Sequence, residues 1–146
     1  MAPHPGYGTV AAVGIEQAAA VVFALASGIV IGFQLALALG APWGAYAMGG
    51  RYPGQFPTPL RIAALVQAVV IGFLAIAVLS DAGLFVPDLA DTLPWLVWLA
   101  VAFSAVSTLL NAITQSPAER RIWLPVAVAM LVASLIVALA TSSATG

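Results

Sequence analysis

The chain has 146 residues, is 63% hydrophobic and 6% charged, and has a formal net charge of −1 and a mean hydropathy of +1.11. Soluble domains carry roughly 25% charged residues, so a chain this poor in charge could not cover its surface in water and is expected to dissolve in lipid. No cysteine is present and the only histidine is His4, which excludes disulfides, thiolate nucleophiles, Cys-ligated metals, and a His-ligated haem or zinc inside a bundle.

Residues 1–15 contain no Lys or Arg, so the basic start of a secretory signal is missing and none is expected. The first predicted helix covers about residues 16–39, with an apolar run from Ala18 to Leu39. At 100° per residue, Glu16, Ala20, Ser27 and Gln34 fall on one face. Glu16, two residues before the Ala18–Leu39 run, is the one candidate proton site. A buried intramembrane carboxylate points to proton coupling, whereas a helix beginning near Thr9 would leave Glu16 at the interface. Gly28 and Gly32 form a GxxxG motif, which permits close helix packing within the chain or against a second copy.

A Gly/Pro-rich loop, about 40–58, follows. It carries Trp43, Tyr46, Arg51 and Tyr52 and matches no phosphate-binding pattern. Thr58-Pro59 then offers a cap followed by a first-turn proline. The second helix is predicted at about 60–80, with Arg61 at its start and Gln67 within it. The next gap, Ser80–Thr92, holds Asp81, Asp88 and Asp91 and no positive charge. The third helix, about 93–113, has Pro94 in its first turn, Trp95 and Trp98 near its beginning, and Ser104, Ser107 and Asn111 along one face. Ser116-Pro117-Ala118-Glu119 reads as a capping box for a fourth helix at about 118–140, followed by Arg120, Arg121 and Trp123, with a kink expected at Pro125.

Each apolar run spans about 30 Å at 1.5 Å per residue, enough to cross a bilayer. The expected fold is therefore all-α, a single transmembrane domain built as a four-helix up-down bundle. In such a bundle the first and third gaps share one side, which gathers Arg51, Arg61, Arg120 and Arg121 there. The positive-inside rule makes that side cytoplasmic and puts both termini outside, in a multi-pass protein of the cell (inner) membrane. The aromatic residues fall into two belts, Trp95 and Trp98 at one interface and Trp43, Tyr46, Tyr52 and Trp123 at the other.

Gln34, Gln67, Ser104, Ser107 and Asn111 all fall in the cytoplasmic half. They are expected to face one another between the first and third helices, with Gln67 nearby. Cross-helix hydrogen bonds of this kind contribute about 0.6–2 kcal/mol each. Two readings stand side by side: a structural cluster that fixes helix register, or a polar cavity for a substrate or lipid head group. Gly28 and Gly32 are expected to contact a different neighbour.

No nucleophile–base pair, paired carboxylate or metal-spaced cluster is visible, so no enzyme activity, cofactor or metal is expected, although a lipid-acting enzyme stays open. The net charge gives no reason to expect a nucleic-acid partner. The leading functional expectation is an accessory or structural membrane component. The alternative is an oligomeric small-molecule or ion transporter or channel. The expected partners are the lipid bilayer and either further copies of the chain or a larger membrane-protein complex. The stretches ALALGAPWG, GGRYPG and NAITQSPAERR, with Pro125, resemble one group of uncharacterised small bacterial membrane proteins. The resemblance implies a four-helix topology and transfers no activity and no site residue.

Overall fold

The computed structural model of the chain describes residues 14–144. His4 and the rest of the N-terminal tail lie outside them, and the first helix begins at Ile15 after an extended Gly14, close to the expected start at about 16 and not near Thr9. Five α-helices follow in order: α1 (Ile15–Leu39), α2 (Thr58–Asp81), a short α3 (Pro87–Thr92), α4 (Leu96–Ile113) and α5 (Pro117–Ala144). No strand occurs among the described residues. Four of the helices, α1, α2, α4 and α5, are long and apolar enough to cross a membrane. The fold is an all-α four-helix bundle of membrane type.

The helices pack in a square, in the order α1, α2, α4, α5, with α5 closing back on α1. The α1–α2 and α4–α5 seams are the tightest and the α2–α4 seam the thinnest. α1 and α4 therefore stand on a diagonal. The bundle has a loop end, formed by the chain between α1 and α2 and by the α4–α5 turn. It also has a terminal end, where α1 begins and α5 finishes.

The main core lies toward the terminal end. Ala20, Phe23, Val78, Ala100, Val137 and Ala138 are fully buried there. Alanines let these backbones approach closely, as intramembrane packing requires. Outward faces carry Val21, Leu25, Ile29, Val69, Phe73, Leu109 and Val132, all exposed. Helices apolar on every side suit a lipid solvent and no other. A smaller cluster of Leu37, Phe56 and Ala64 sits at the loop end, beneath the loop. The buried residues of α4 are Leu96, Val97, Ala100 and Ser104, all in its first half. Beyond Ser104 this helix packs no residue fully into the bundle.

Local chemistry sets the helix limits. α1 ends at Gly40, whose φ of 98° is left-handed, and the Ala41 N–H reaches back to the Ala36 carbonyl at 2.9 Å. Arg61 Nε donates to the Ala38 carbonyl at 2.8 Å, which places a cation on the negative end of α1. α2 begins at Thr58, one residue earlier than the expected cap geometry allows, and no side chain caps it. α4 starts at Leu96, and Pro94 lies in the turn before it rather than in its first helical turn. The proline disfavours helical dihedrals at Leu93, which has φ −132° and ψ 61°, so the helix can begin only beyond it. Pro125 lies inside a continuous α5. The acidic gap is not plain loop: Pro87–Thr92 coils into α3.

Candidate functional site

In the loop-end half of the bundle, α1, α2, α4 and α5 enclose a cavity of about 710 Å³. It opens where α4 stops burying side chains and the α2–α4 seam parts. All five residues of the expected polar cluster line it: Gln34 from α1, Gln67 from α2, and Ser104, Ser107 and Asn111 from α4. The walls between them are apolar, with Val30, Leu37, Ile71, Phe103 and Met130.

The cluster is assembled but not bonded as expected. No hydrogen bond joins Gln34 to the α4 residues, because the square packing puts α1 and α4 across the cavity from each other. Asn111 Nδ2 donates instead to the Ser107 carbonyl on its own helix, at 2.8 Å. Thr108 Oγ1 likewise donates to the Ser104 carbonyl at 2.8 Å. Among the described residues, Gln34 and Gln67 use their amides with no other protein group. Ser104 is 1% exposed, and its Oγ has no hydrogen-bond partner. Ser27 Oγ is also buried and unpartnered, but it does not line the cavity.

The loop between α1 and α2 forms the roof. Tyr46, Met48, Gly49 and Arg51 all border the cavity. Met48, Gly49 and Gly50 adopt positive φ in succession, at 54°, 71° and 72°. Only Met48 pays a Cβ penalty there. The turn is held by Glu119, whose Oε2 accepts from the Gly49 N–H at 2.7 Å and from Thr114 Oγ1 at 2.9 Å. Trp123 Nε1 donates to the Tyr46 carbonyl at 2.9 Å. Phe33 packs between Trp43 at 6.1 Å and Trp123 at 4.5 Å, which anchors the roof to α1 and α5. Gly44 is obligatory in this fold of the loop. Its N–H meets the Gly54 carbonyl at 2.9 Å, and a Cβ would collide with the Tyr52 carbonyl oxygen.

The expected capping box is half formed. Ser116 Oγ accepts from the Glu119 N–H at 3.3 Å, but the Glu119 carboxylate goes to the roof. The Ser116 N–H is met by Thr114 Oγ1 at 3.4 Å. Glu119 and Trp123 are thus site residues that sequence reasoning took for a helix start and a membrane belt. The capping-box spacing located Glu119 correctly; only a loop seventy residues away in sequence reveals its second partner.

The remaining candidates lie elsewhere. Glu16 is half-buried in the first turn of α1, at the terminal end and away from the cavity. Gly28 and Gly32 point outward into open space. Among the described residues nothing lies within 4 Å of a Cβ built at either position, so of the two expected partners the one within the chain is not met there. A glycine sequence analysis overlooked, Gly72, is the one that lies against α1, near Ile31. The four arginines gather at the loop end. Arg51 borders the cavity, Arg61 closes α1, Arg120 donates to the Thr114 carbonyl, and Arg121 is exposed.

The cavity thus offers amides and hydroxyls in its interior and one cation and one carboxylate at its roof. Among the described residues no group of three or more His, Cys, Asp or Glu side chains comes together to hold a metal. Its chemistry is hydrogen bonding in an apolar enclosure. Comparisons of the chain with protein-family models, curated proteins and solved structures find no match.

Proposed function

We propose that this chain is a non-enzymatic multi-pass protein of the cell membrane whose loop-end cavity receives a small molecule bearing neutral hydrogen-bonding groups. In this reading the loop end is cytoplasmic and both chain ends are outside, as four arginines at one end favour. The observation that carries it is the pair of amides on Gln34 and Gln67, which line the cavity with no hydrogen-bond partner among the described residues. An amide left unpaired away from water costs about 1–3 kcal/mol, and a purely structural cluster would have used these groups on one another. The other end of the bundle favours an accessory role over a transporter or channel. There Phe23, Leu74, Val78 and Val137 close the core, so the cavity is one-sided in this conformation.

Native mass spectrometry of protein purified in mild detergent tests this. We expect a small-molecule adduct, about one per chain, that disappears in the Gln34→Leu/Asn111→Leu variant while helicity by circular dichroism is unchanged. Wild-type protein free of any adduct under the gentlest extraction, or an adduct equally retained by the double variant, would refute the assignment.

A further inference from the structure

A second concavity, of about 460 Å³, lies along the α2–α4 seam. It is lined only by Val69, Val70, Phe73, Leu74, Leu99 and Phe103. Phe103 also lines the polar cavity, so the two spaces meet at its ring. On α4, Leu99, Phe103, Ser107 and Asn111 recur at intervals of four and form one row. On α2, Gln67, Val70 and Leu74 share a face at spacings of three and four. Both rows are polar toward the loop end and become wholly apolar past Phe103. Gln67, Val69, Val70, Phe73 and Leu99 are exposed, so the seam is open on its lipid side.

We propose that the seam binds a single-chain amphiphile with a neutral hydroxyl or amide head, which enters sideways from the bilayer. This rests on the cavity being a binding site. The head sits among Gln67, Ser107 and Asn111, and the alkyl chain lies in the groove beyond Phe103. The path from Asn111 to Leu99 is about 18 Å at 1.5 Å per residue, which suits an extended chain rather than a compact solute. None of the residues that would touch head or tail is ionisable. The only charged groups on the cavity, Arg51 and Glu119, stand at the roof. Lipid tails are as apolar as the groove, so the tail gains little by leaving the bilayer. Selectivity therefore rests on the head, whose hydrogen bonds satisfy groups that are otherwise unpaired in a medium without water.

The test is photolabelling in phosphatidylcholine vesicles with a monoacylglycerol analogue carrying a diazirine at its chain end. We expect label on Val69, Val70, Phe73, Leu99 and Phe103 to exceed that on the outward residues Val21, Leu25 and Ile29 of α1 by about tenfold, a difference of about 1.4 kcal/mol. Excess monooleoylglycerol should displace it and octadecane should not. Gln67→Leu/Asn111→Leu should erase the enrichment. Val70→Trp, at an exposed position where folding is not at stake, should also reduce it by filling the groove. Label spread evenly over α1 and α2 would overturn the proposal, as would equal enrichment by the anionic fatty-acid analogue. Label confined to the cavity around Ser107, with none in the groove, would remove the tail and leave the cavity a binding site. No label together with no adduct in native mass spectrometry would remove both readings.

Discussion

Ser27 and Ser104 make a matched pair. Each is fully buried in a membrane helix, and each has a hydroxyl with no partner. A serine in such a helix usually donates to the carbonyl four residues back, as Ser80 does to Ile76 at 2.7 Å. Ser27 lies outside the cavity and Ser104 on its wall. Removing either hydroxyl from ligand-free protein relieves an unsatisfied group, so Ser27→Ala and Ser104→Ala should each raise stability by about 1 kcal/mol. Thermal unfolding of delipidated protein measures this. Neither hydroxyl has accessible surface, so Ser27→Ala and Ser104→Ala should both keep the bound adduct. Loss of the adduct from Ser104→Ala alone would show that its hydroxyl reaches the ligand. At this scale the sequence was informative about faces and silent about pairs. A 100° spacing put Ser104, Ser107 and Asn111 on one side of α4, and the structure turns that side to the cavity. Whether Gln34 meets them depends on which helices are neighbours, and no single helix's periodicity carries that information.

The elements themselves were legible because the physics that bounds them is local. An apolar run of bilayer length, closed by Gly40 or broken by Pro94, defines a membrane helix whatever surrounds it. The departures come from contacts that reach across the chain. Glu119 leaves its capping box for the Gly49 N–H, and Arg61 leaves its own helix for the end of α1. Arg61 shows that a positively charged residue beside a membrane helix can serve as a cap as well as a topology signal. Its guanidinium also lies beside Gly40, within about 3.5 Å of where a Cβ would stand there. Arg61→Met keeps the apolar stem and removes the donor, so Ala38 loses its half-buried partner. We expect a loss of about 1–2 kcal/mol in thermal unfolding. Arg61→Lys should recover part of this through the helix dipole alone. A midpoint unchanged in Arg61→Met would show that the hydrogen bond contributes nothing to the join between α1 and α2.

At the scale of the whole molecule, the cavity is a consequence of arrangement rather than of any one residue. A square of helices with a thin α2–α4 seam, and an α4 that packs tightly only in its first half, leaves space at the loop end. Such a space has no signature in composition or periodicity, which is why the cluster could be read beforehand either as register-fixing or as a cavity. The charges, in contrast, act on the molecule as a whole and can be read before any packing is known. Arg51, Arg61, Arg120 and Arg121 collect at the loop end, while Asp81, Asp88 and Asp91 collect at or beside the terminal end. Lysine is absent, so these four residues are the entire positive-inside signal of the chain. The structure makes the consequence testable without ambiguity from burial, because Gln55, Asp88 and Ser143 are all exposed. The natural chain has no cysteine, so a single introduced thiol reports alone. With the loop end cytoplasmic, Asp88→Cys and Ser143→Cys should react with a membrane-impermeant maleimide in intact cells. Gln55→Cys should react only after the cells are permeabilised. Since burial within the protein protects none of the three sites, labelling of Gln55→Cys that appears only on permeabilisation shows that the bilayer had stood between thiol and reagent. The reverse pattern would invert the protein in the membrane, with the arginines outside and the roof of the cavity facing away from the cytoplasm.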